Sequence, residues 1–212
     1  MQPVDFNRNR SYSLRGDIYG NIVNAGDKFD ALYLGRYFSQ RSPTTALLHS
    51  SHSLSKDIAS KTLQRAFKIP QYWAPLFAHA VAHSAQLLFG RNINFDIVTV
   101  IPATGGKDPR LERLLDAISD VPHMESMQTS FDPKVFCLTE NARDIKALGP
   151  TERDSEAQRT LSLTDSCASG KRLLIIDDVV TTGATLRTAI TLAQQAGASA
   201  VYGLALAKLV RV

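Results

Sequence analysis

The sequence predicts an α/β fold, a parallel sheet covered by helices on both faces. Three observations carry this expectation. Residues 95–101, 173–176 and 200–206 are short, almost wholly apolar runs, the pattern of strands buried on both faces. Residues 72–89 and 184–196 instead repeat their apolar positions with helical spacing. Apolar strands alternating with helices build βαβ units, whose strands run parallel.

Each element has its own warrant. Residues 1–30 are polar, rich in Asn, Asp, Gly and Arg, and show no sustained period, so they read as irregular. Residues 31–34 and 45–48 read as two short strands separated by Ser42-Pro43. Residues 55–68 look helical, with Ile58, Leu63 and Phe67 apolar. Trp73, Leu76, Phe77, Ala80, Val81, Ser84, Leu87 and Leu88 then mark one face of an amphipathic helix, with Gly90 as its stop. The run 95–101 is a buried strand ended by Pro102. Asp108-Pro109 reads as an N-cap followed by proline at the first helical position, and Leu111, Leu114, Leu115 and Ile118 form the buried face that follows.

Residues 134–138 form a short strand, and 139–170 a long polar loop with one helical piece near 152–160. The run 173–176 is a second buried strand. In the helix that follows, Leu186, Ile190 and Ala193 face inward and Gly197 caps the end. Residues 200–206 are the third buried strand. Two units follow: an N-terminal appendage over 1–70 and a core over 71–212.

Composition bounds the function. The chain has 212 residues, 44% hydrophobic and 21% charged, with a formal net charge of +4. Such a chain can bury a core and is too apolar for wholesale disorder. Residues 1–70 hold ten Lys/Arg and five Asp, so the whole positive excess sits in the appendage and the core is close to neutral. That balance does not favour a nucleic-acid partner. The two cysteines, Cys137 and Cys167, exclude a disulfide scaffold and a four-Cys zinc site. The opening residues lack the basic-then-apolar pattern of a secretory signal, and no run reaches the roughly 18–20 apolar residues of a membrane helix. A reducing, cytoplasmic setting is expected.

The chemistry concentrates in residues 173–185, Leu-Leu-Ile-Ile-Asp-Asp-Val-Val-Thr-Thr-Gly-Ala-Thr. A buried strand delivers Asp177 and Asp178 to its carboxyl end, where open α/β sheets bind ligands. A turn of Thr181, Thr182, Gly183, Ala184 and Thr185 opens directly into a helix. Unsatisfied N–H groups and the positive end of the helix dipole suit a phosphate there. Gly183 lets the backbone approach the anion, and the threonine hydroxyls donate to its oxygens. Two carboxylates beside a phosphate cradle need a different partner, either sugar hydroxyls or a divalent cation. A ribose 5-phosphate unit satisfies both halves.

All thirteen residues of this stretch resemble the 5-phosphoribosyl 1-diphosphate (PRPP) binding motif of type I phosphoribosyltransferases: four apolar residues, two acids, two apolar residues, then Thr-Thr-Gly-x-Thr. The layout from about 72 to 208 is similar to that family's core order, and the ComF-like phosphoribosyltransferase-domain proteins are the nearest group. That group's N-terminal zinc-binding Cys cluster is absent here. The resemblance implies a type I phosphoribosyltransferase core with a small N-terminal hood. It also implies a glycosyltransferase activity: pentosyl transfer from PRPP to a nitrogen acceptor of nucleobase type, with release of diphosphate. Asp177 and Asp178 would serve catalysis and hold Mg²⁺, directly or through water. Residues 181–185 would hold the 5-phosphate. The expected partners are PRPP, a small nitrogenous acceptor and a second copy of the chain in a homodimer. The alternative is a non-catalytic PRPP- or nucleotide-binding protein with a regulatory or DNA-uptake role. Purine-salvage members that deprotonate their base carry Asp where this chain has Thr181, so that route is not expected.

Other segments take roles from position. Ala103, Thr104, Gly105, Gly106 and Lys107 follow the 95–101 strand, so they would share the sheet edge with 177–185 and suit a diphosphate. Arg143 and Lys146 fall where the family carries a mobile closing loop, and are the candidates to reach the diphosphate. Acceptor selectivity would come from a hood built before residue 70, where Phe29, Tyr33, Tyr37 and Phe38 can stack on a base. His79 and His83, at i and i+4, lack a third ligand and read as a surface pair. His49 and His52 read as loop residues, and Cys137 as a buried small residue.

Overall fold

The computed structural model describes residues 20–21, 31–40, 43–52, 55–56, 58, 69–90, 92–103, 109–139, 150–164 and 168–210. In chain order the elements are β1 (Gly20–Asn21), β2 (Ala31–Tyr37), α1 (Pro43–Ser51), α2 (Ile69–Phe89), β3 (Ile97–Val100), α3 (Arg110–Ser119), β4 (Ser130–Phe131), β5 (Phe136–Leu138), α4 (Pro150–Thr160), β6 (Leu161–Leu163), β7 (Arg172–Val180), α5 (Ala184–Gln195) and β8 (Ala200–Leu209).

The main sheet has the order β1-β2-β8-β7-β3-β4. Its five strands from β2 to β4 are all parallel, and β1 adds antiparallel at one edge. The α/β class read from the apolar runs is therefore what the chain adopts. Leu173, Leu174, Ile175 and Ile176 at the centre are at most 1% exposed, which is why this strand reads as one continuous apolar run. A separate two-stranded ribbon pairs β5 with β6 antiparallel.

Helices α3 and α5 bury the faces their spacing predicts, whereas α2 buries four of its predicted positions, leaves Trp73, Leu76 and Leu88 half-buried and adds Ala74, Ala78 and Ala85. On α2, Ala74, Phe77, Ala78, Ala80, Val81, Ser84 and Ala85 are buried; on α3, Leu111, Leu114, Leu115 and Ile118; on α5, Leu186, Ile190 and Ala193. Gly203 shows how closely α5 meets the sheet. A Cβ there would lie 2.7 Å from Leu186 Cδ2 and 2.8 Å from Ala31 Cβ, and only glycine leaves room. At the amino edge of the sheet, Arg172 binds Asp96 through Nε to Oδ2 (2.8 Å) and Nη2 to Oδ1 (2.7 Å). This fork pins the start of β7 to the residue before β3.

Several sequence expectations change. Residues 45–48 belong to α1, not to a strand. Pro43 is well suited to a first helical position, and the buried residues Thr45 and His49 stand at i and i+4, leaving Leu47 and Leu48 exposed. Residues 31–37, counted in the 1–70 appendage from sequence, form a strand of the main sheet in register with β8 from Ala31↔Gly203 to Tyr37↔Leu209. Pro109 takes the N-cap position of α3, so the helix starts one residue later than expected, and Asp108 lies outside the described residues. Ala196 is the C-cap of α5 and Gly197 follows it at φ 87°. Strand β7 runs four residues beyond the predicted 173–176 and so carries both acids itself. The strands β4 and β6, of two and three residues, are too short to show a period.

Candidate functional site

Strands β3 and β7 are parallel neighbours, with Val100 in register with Ile176. The Ile101 N–H donates to Ile176 O (2.9 Å), so the pairing continues to the last residue before Pro102. From β3 the chain runs through α3 to β4 on one side of the pair. From β7 it runs through α5 to β8 on the other. Neighbouring strands whose outgoing connections diverge leave a crevice at their carboxyl ends. Of the 103–107 loop expected to share this sheet edge with 177–185, Ala103 is described and lies there.

The faces of the sheet separate the two acids. Asp177 lies in register with Ala205, on the side where Gly203 meets Leu186 of α5. Asp178, the next residue along the strand, points to the opposite face. There its Oδ2 forms an ion pair with the Arg110 guanidinium, from the first residue of α3. Asp178 Oδ1 accepts the Val179 N–H (2.6 Å), and Asp177 Oδ1 accepts the Asp178 N–H (2.7 Å). These local bonds fix the carboxylates at the strand end.

The turn after β7 is shaped by Gly183, the N-cap of α5, at φ 82° and ψ 5°. A side chain at that φ is strained, which explains glycine between Thr182 and Ala184. The cap residue has no side chain to occupy the first helical N–H groups, and the first turn of α5 contains no acid. Thr182 Oγ1 accepts only a long hydrogen bond from Ala184 N–H (3.4 Å). Asp177, Val179, Val180 and residues 181–185 line a small, open cleft. Thr181, Thr182 and Thr185 are half-buried around it. The cleft therefore joins N–H and hydroxyl donors, suited to an anion, to a carboxylate suited to hydroxyls.

Two contributors escape the sequence reading. Arg110 holds Asp178 and also donates to Ile58 O (3.3 Å), joining the strand end to the segment before α2. Glu112 Oε1 accepts the Ala103 N–H (3.0 Å), which anchors the start of the loop after β3. Glu112 Oε2 is buried with no hydrogen-bond partner among the described residues. The one signal for either residue is position: both stand in the first turn of the helix that follows a loop at the carboxyl edge.

The other candidates divide. Ala103 sits at the crevice; Thr104, Gly105, Gly106 and Lys107 lie outside the described residues, as do Arg143 and Lys146. Tyr33 is 7% exposed and belongs to the core. Tyr37 and Phe38 meet His49 and His52 edge-on, at 6.3 and 5.0 Å, and Phe29 lies outside the described residues. His49 and His52 are more than loop residues. His49 Nδ1–H donates to Phe38 O (2.8 Å), while His52 Nδ1 accepts the Ser55 N–H (3.2 Å). Burial, with His49 and Arg36 nearby, holds the His52 pKa below its ordinary value. Cys137 is exposed rather than buried, 3.0 Å from Ser162 Oγ across the β5–β6 ribbon. The rings of His79 and His83 stack at 6.0 Å on α2.

Among the described residues no group of three His, Cys, Asp or Glu side chains is placed to hold a metal. The carboxylate that lines the cleft, Asp177, suits a Mg²⁺ whose remaining ligands are phosphate oxygens and water. No helix among the described residues is long and apolar enough to cross a membrane. No protein-family model and no curated protein matches this chain.

Proposed function

We infer that the protein is a phosphoribosyltransferase of type I architecture, moving ribose 5-phosphate from PRPP to a nitrogen acceptor and releasing diphosphate. One observation carries this reading. Two adjacent carboxylates stand near the carboxyl end of β7, and one of them, Asp177, lines the same cleft as a glycine-shaped, acid-free helix start. A plain strand end needs neither acid, and a plain helix start gains from an N-cap side chain that Gly183 cannot supply.

The 5-phosphate would lie on the N–H groups and hydroxyls of 181–185, and the ribose hydroxyls on Asp177 and Asp178. This grip holds the anomeric carbon in one place, so catalysis is mainly positioning and electrostatics. The C1–O bond to diphosphate breaks, a C1–N bond forms, and the acceptor nitrogen gives up its proton. The negative charge of the acids favours the positive charge that develops on the sugar ring. Mg²⁺ held by Asp177 and Asp178 would supply charge neutralisation to the diphosphate.

Calorimetry with PRPP and Mg²⁺ tests the reading. The parent protein should bind, and Asp178→Asn should bind at least about tenfold more weakly, the loss expected for one hydrogen bond to a charged group. A parent protein that binds no PRPP refutes the proposal. Diphosphate release across a panel of nucleobases then separates an enzyme from a sensor.

A further inference from the structure

The carboxyl end of β2 lies on the same sheet edge as the 181–185 turn. Val180, the last residue of β7, is in register with Lys208 of β8, and Lys208 with Arg36 of β2. Registered residues of neighbouring strands share a face, as do alternate residues along one strand. Arg36, Lys208 and Val180 therefore stand in one row on the face that carries Asp178. Two strand spacings, roughly 10 Å, separate Arg36 from the end of β7.

The corner that follows Arg36 is fixed by hydrogen bonds and rich in rings. Ser55 Oγ accepts the Phe38 N–H (2.9 Å) and lies 2.9 Å from His52 Nδ1, which also accepts the Ser55 N–H (3.2 Å). With Nδ1 accepting, a neutral His52 carries its proton on Nε2, as a donor. The rings of Tyr37 and His49, and of Phe38 and His52, meet edge-on. The Arg36 charge reaches this corner: after burial and His49, it is a cause of the lowered His52 pKa. Arg36 and His52 are both half-buried, and Arg36 makes no ion pair among the described residues. A guanidinium and an imidazole N–H beside aromatic rings suit a planar ring that carries an anion.

The direction of transfer leads to the same corner. This rests on the phosphoribosyl reading given above, in which the diphosphate lies toward the loop that begins at Ala103, beside β3. The acceptor attacks C1 from the side opposite the departing group, which is the side of β8 and β2. A ribose across the end of β7 and one heterocycle beyond it span the distance to Arg36.

We propose that Arg36 and His52 form the acceptor subsite and bind a carboxylate, so that the acceptor is a planar nitrogen heterocycle bearing one. The site thereby takes carboxylated heterocycles in preference to neutral nucleobases.

Two matched pairs of probes test this, orotate with uracil and nicotinate with nicotinamide, each pair differing in the carboxylate. With Mg²⁺ and PRPP present, calorimetry and diphosphate release should favour the carboxylated member of at least one pair. Arg36→Gln should cut that preference at least about tenfold, the scale of one charge-assisted hydrogen bond. Arg36→Lys keeps the charge without the fork and should lose part of it. NMR gives a readout without turnover: the preferred carboxylate should shift the His52 imidazole signals saturably, and its neutral counterpart should not. If Arg36→Gln does not fold, as melting will report, the lysine variant decides, and an unchanged preference there overturns the proposal. Equal weakening of both members of a pair in a folded Arg36→Gln also overturns it, since that marks a purely structural role. A parent that binds PRPP but favours neither carboxylate, or leaves the His52 signals unmoved, removes this proposal alone. A parent that binds no PRPP removes the phosphoribosyl reading and this proposal together.

Discussion

Replacing Asp96 by Asn should remove a defined, pH-dependent share of the stability. Asp96 Oδ2 accepts from both the Arg172 backbone N–H and Nε at 2.8 Å, and Oδ1 accepts from Nη2 at 2.7 Å. The Asp96 N–H returns a bond to Arg172 O at 2.9 Å, and the guanidinium lies 5.4 Å from the centre of the Phe89 ring. Led by the side-chain hydrogen bonds from Arg172, these contacts hold the Asp96 carboxyl at about 2 against an ordinary 3.8. At about 1.36 kcal/mol per unit, that difference sets a ceiling near 2.5 kcal/mol. Both side chains are 27% exposed, and solvent screening brings the expected value to about 1–2 kcal/mol.

The sign follows from a carboxyl whose folded pKa is depressed. The unfolded chain takes up its proton first, so the contribution is complete above the unfolded value and fades as pH falls toward 2. Urea unfolding of parent and Asp96→Asn should differ by about 1–2 kcal/mol at pH 7, or roughly 2–8 °C in Tm for a chain of this length. The gap should narrow steadily below about pH 5. Equal stabilities at pH 7, or a gap that stays constant down to pH 3, would refute the reasoning.

Two further expectations concern the packing around the site. Gly203→Ala should destabilise by about 1–3 kcal/mol, because Leu186 can swing its terminal methyl away but Ala31 Cβ at 2.8 Å cannot move without its strand; an unchanged urea midpoint would show that β2 yields. The His52 imidazole should titrate below 6.5 by NMR, and because its folded pKa is depressed it should favour the folded state above that pH and cease to as pH falls. A His52 midpoint at or above 6.5 would contradict the burial that causes the shift.

The legible parts of this fold share one property: their signals are local and periodic. The central run Leu173-Leu174-Ile175-Ile176 and the α3 face Leu111, Leu114, Leu115, Ile118 are readable because burial imposes a 2.0 or 3.6 period on neighbouring residues. Helix α1 is not readable this way, because its buried face is Thr45 and His49, polar residues that break the apolar pattern, with His49 bound to Phe38 O. The strand identity of β2 was legible, but not its place in the sheet. Pairing with β8 joins residues 31–37 to 203–209, a contact that no window along the chain contains. The same holds for the site. The 177–185 stretch is contiguous and announces its chemistry, whereas Arg110 reaches Asp178 across 68 positions, and only the fold puts them together.

Two independent features of the chain meet at the crevice. Strand order alone picks out the carboxyl ends of β3 and β7, because the chain leaves those neighbours in opposite directions. Residue chemistry picks out 177–185 with no knowledge of strand order. Their agreement narrows what the site can hold more than either does alone. Asp177 and Asp178 face opposite sides of the sheet, with α5 over one side and Arg110 of α3 on the other. Only a ligand that straddles the end of β7 reaches both. A phosphate seated in the turn, by contrast, stays on the α5 side. On the phosphoribosyl reading proposed above, the phosphate would take the turn and the ribose hydroxyls would lie across the strand end.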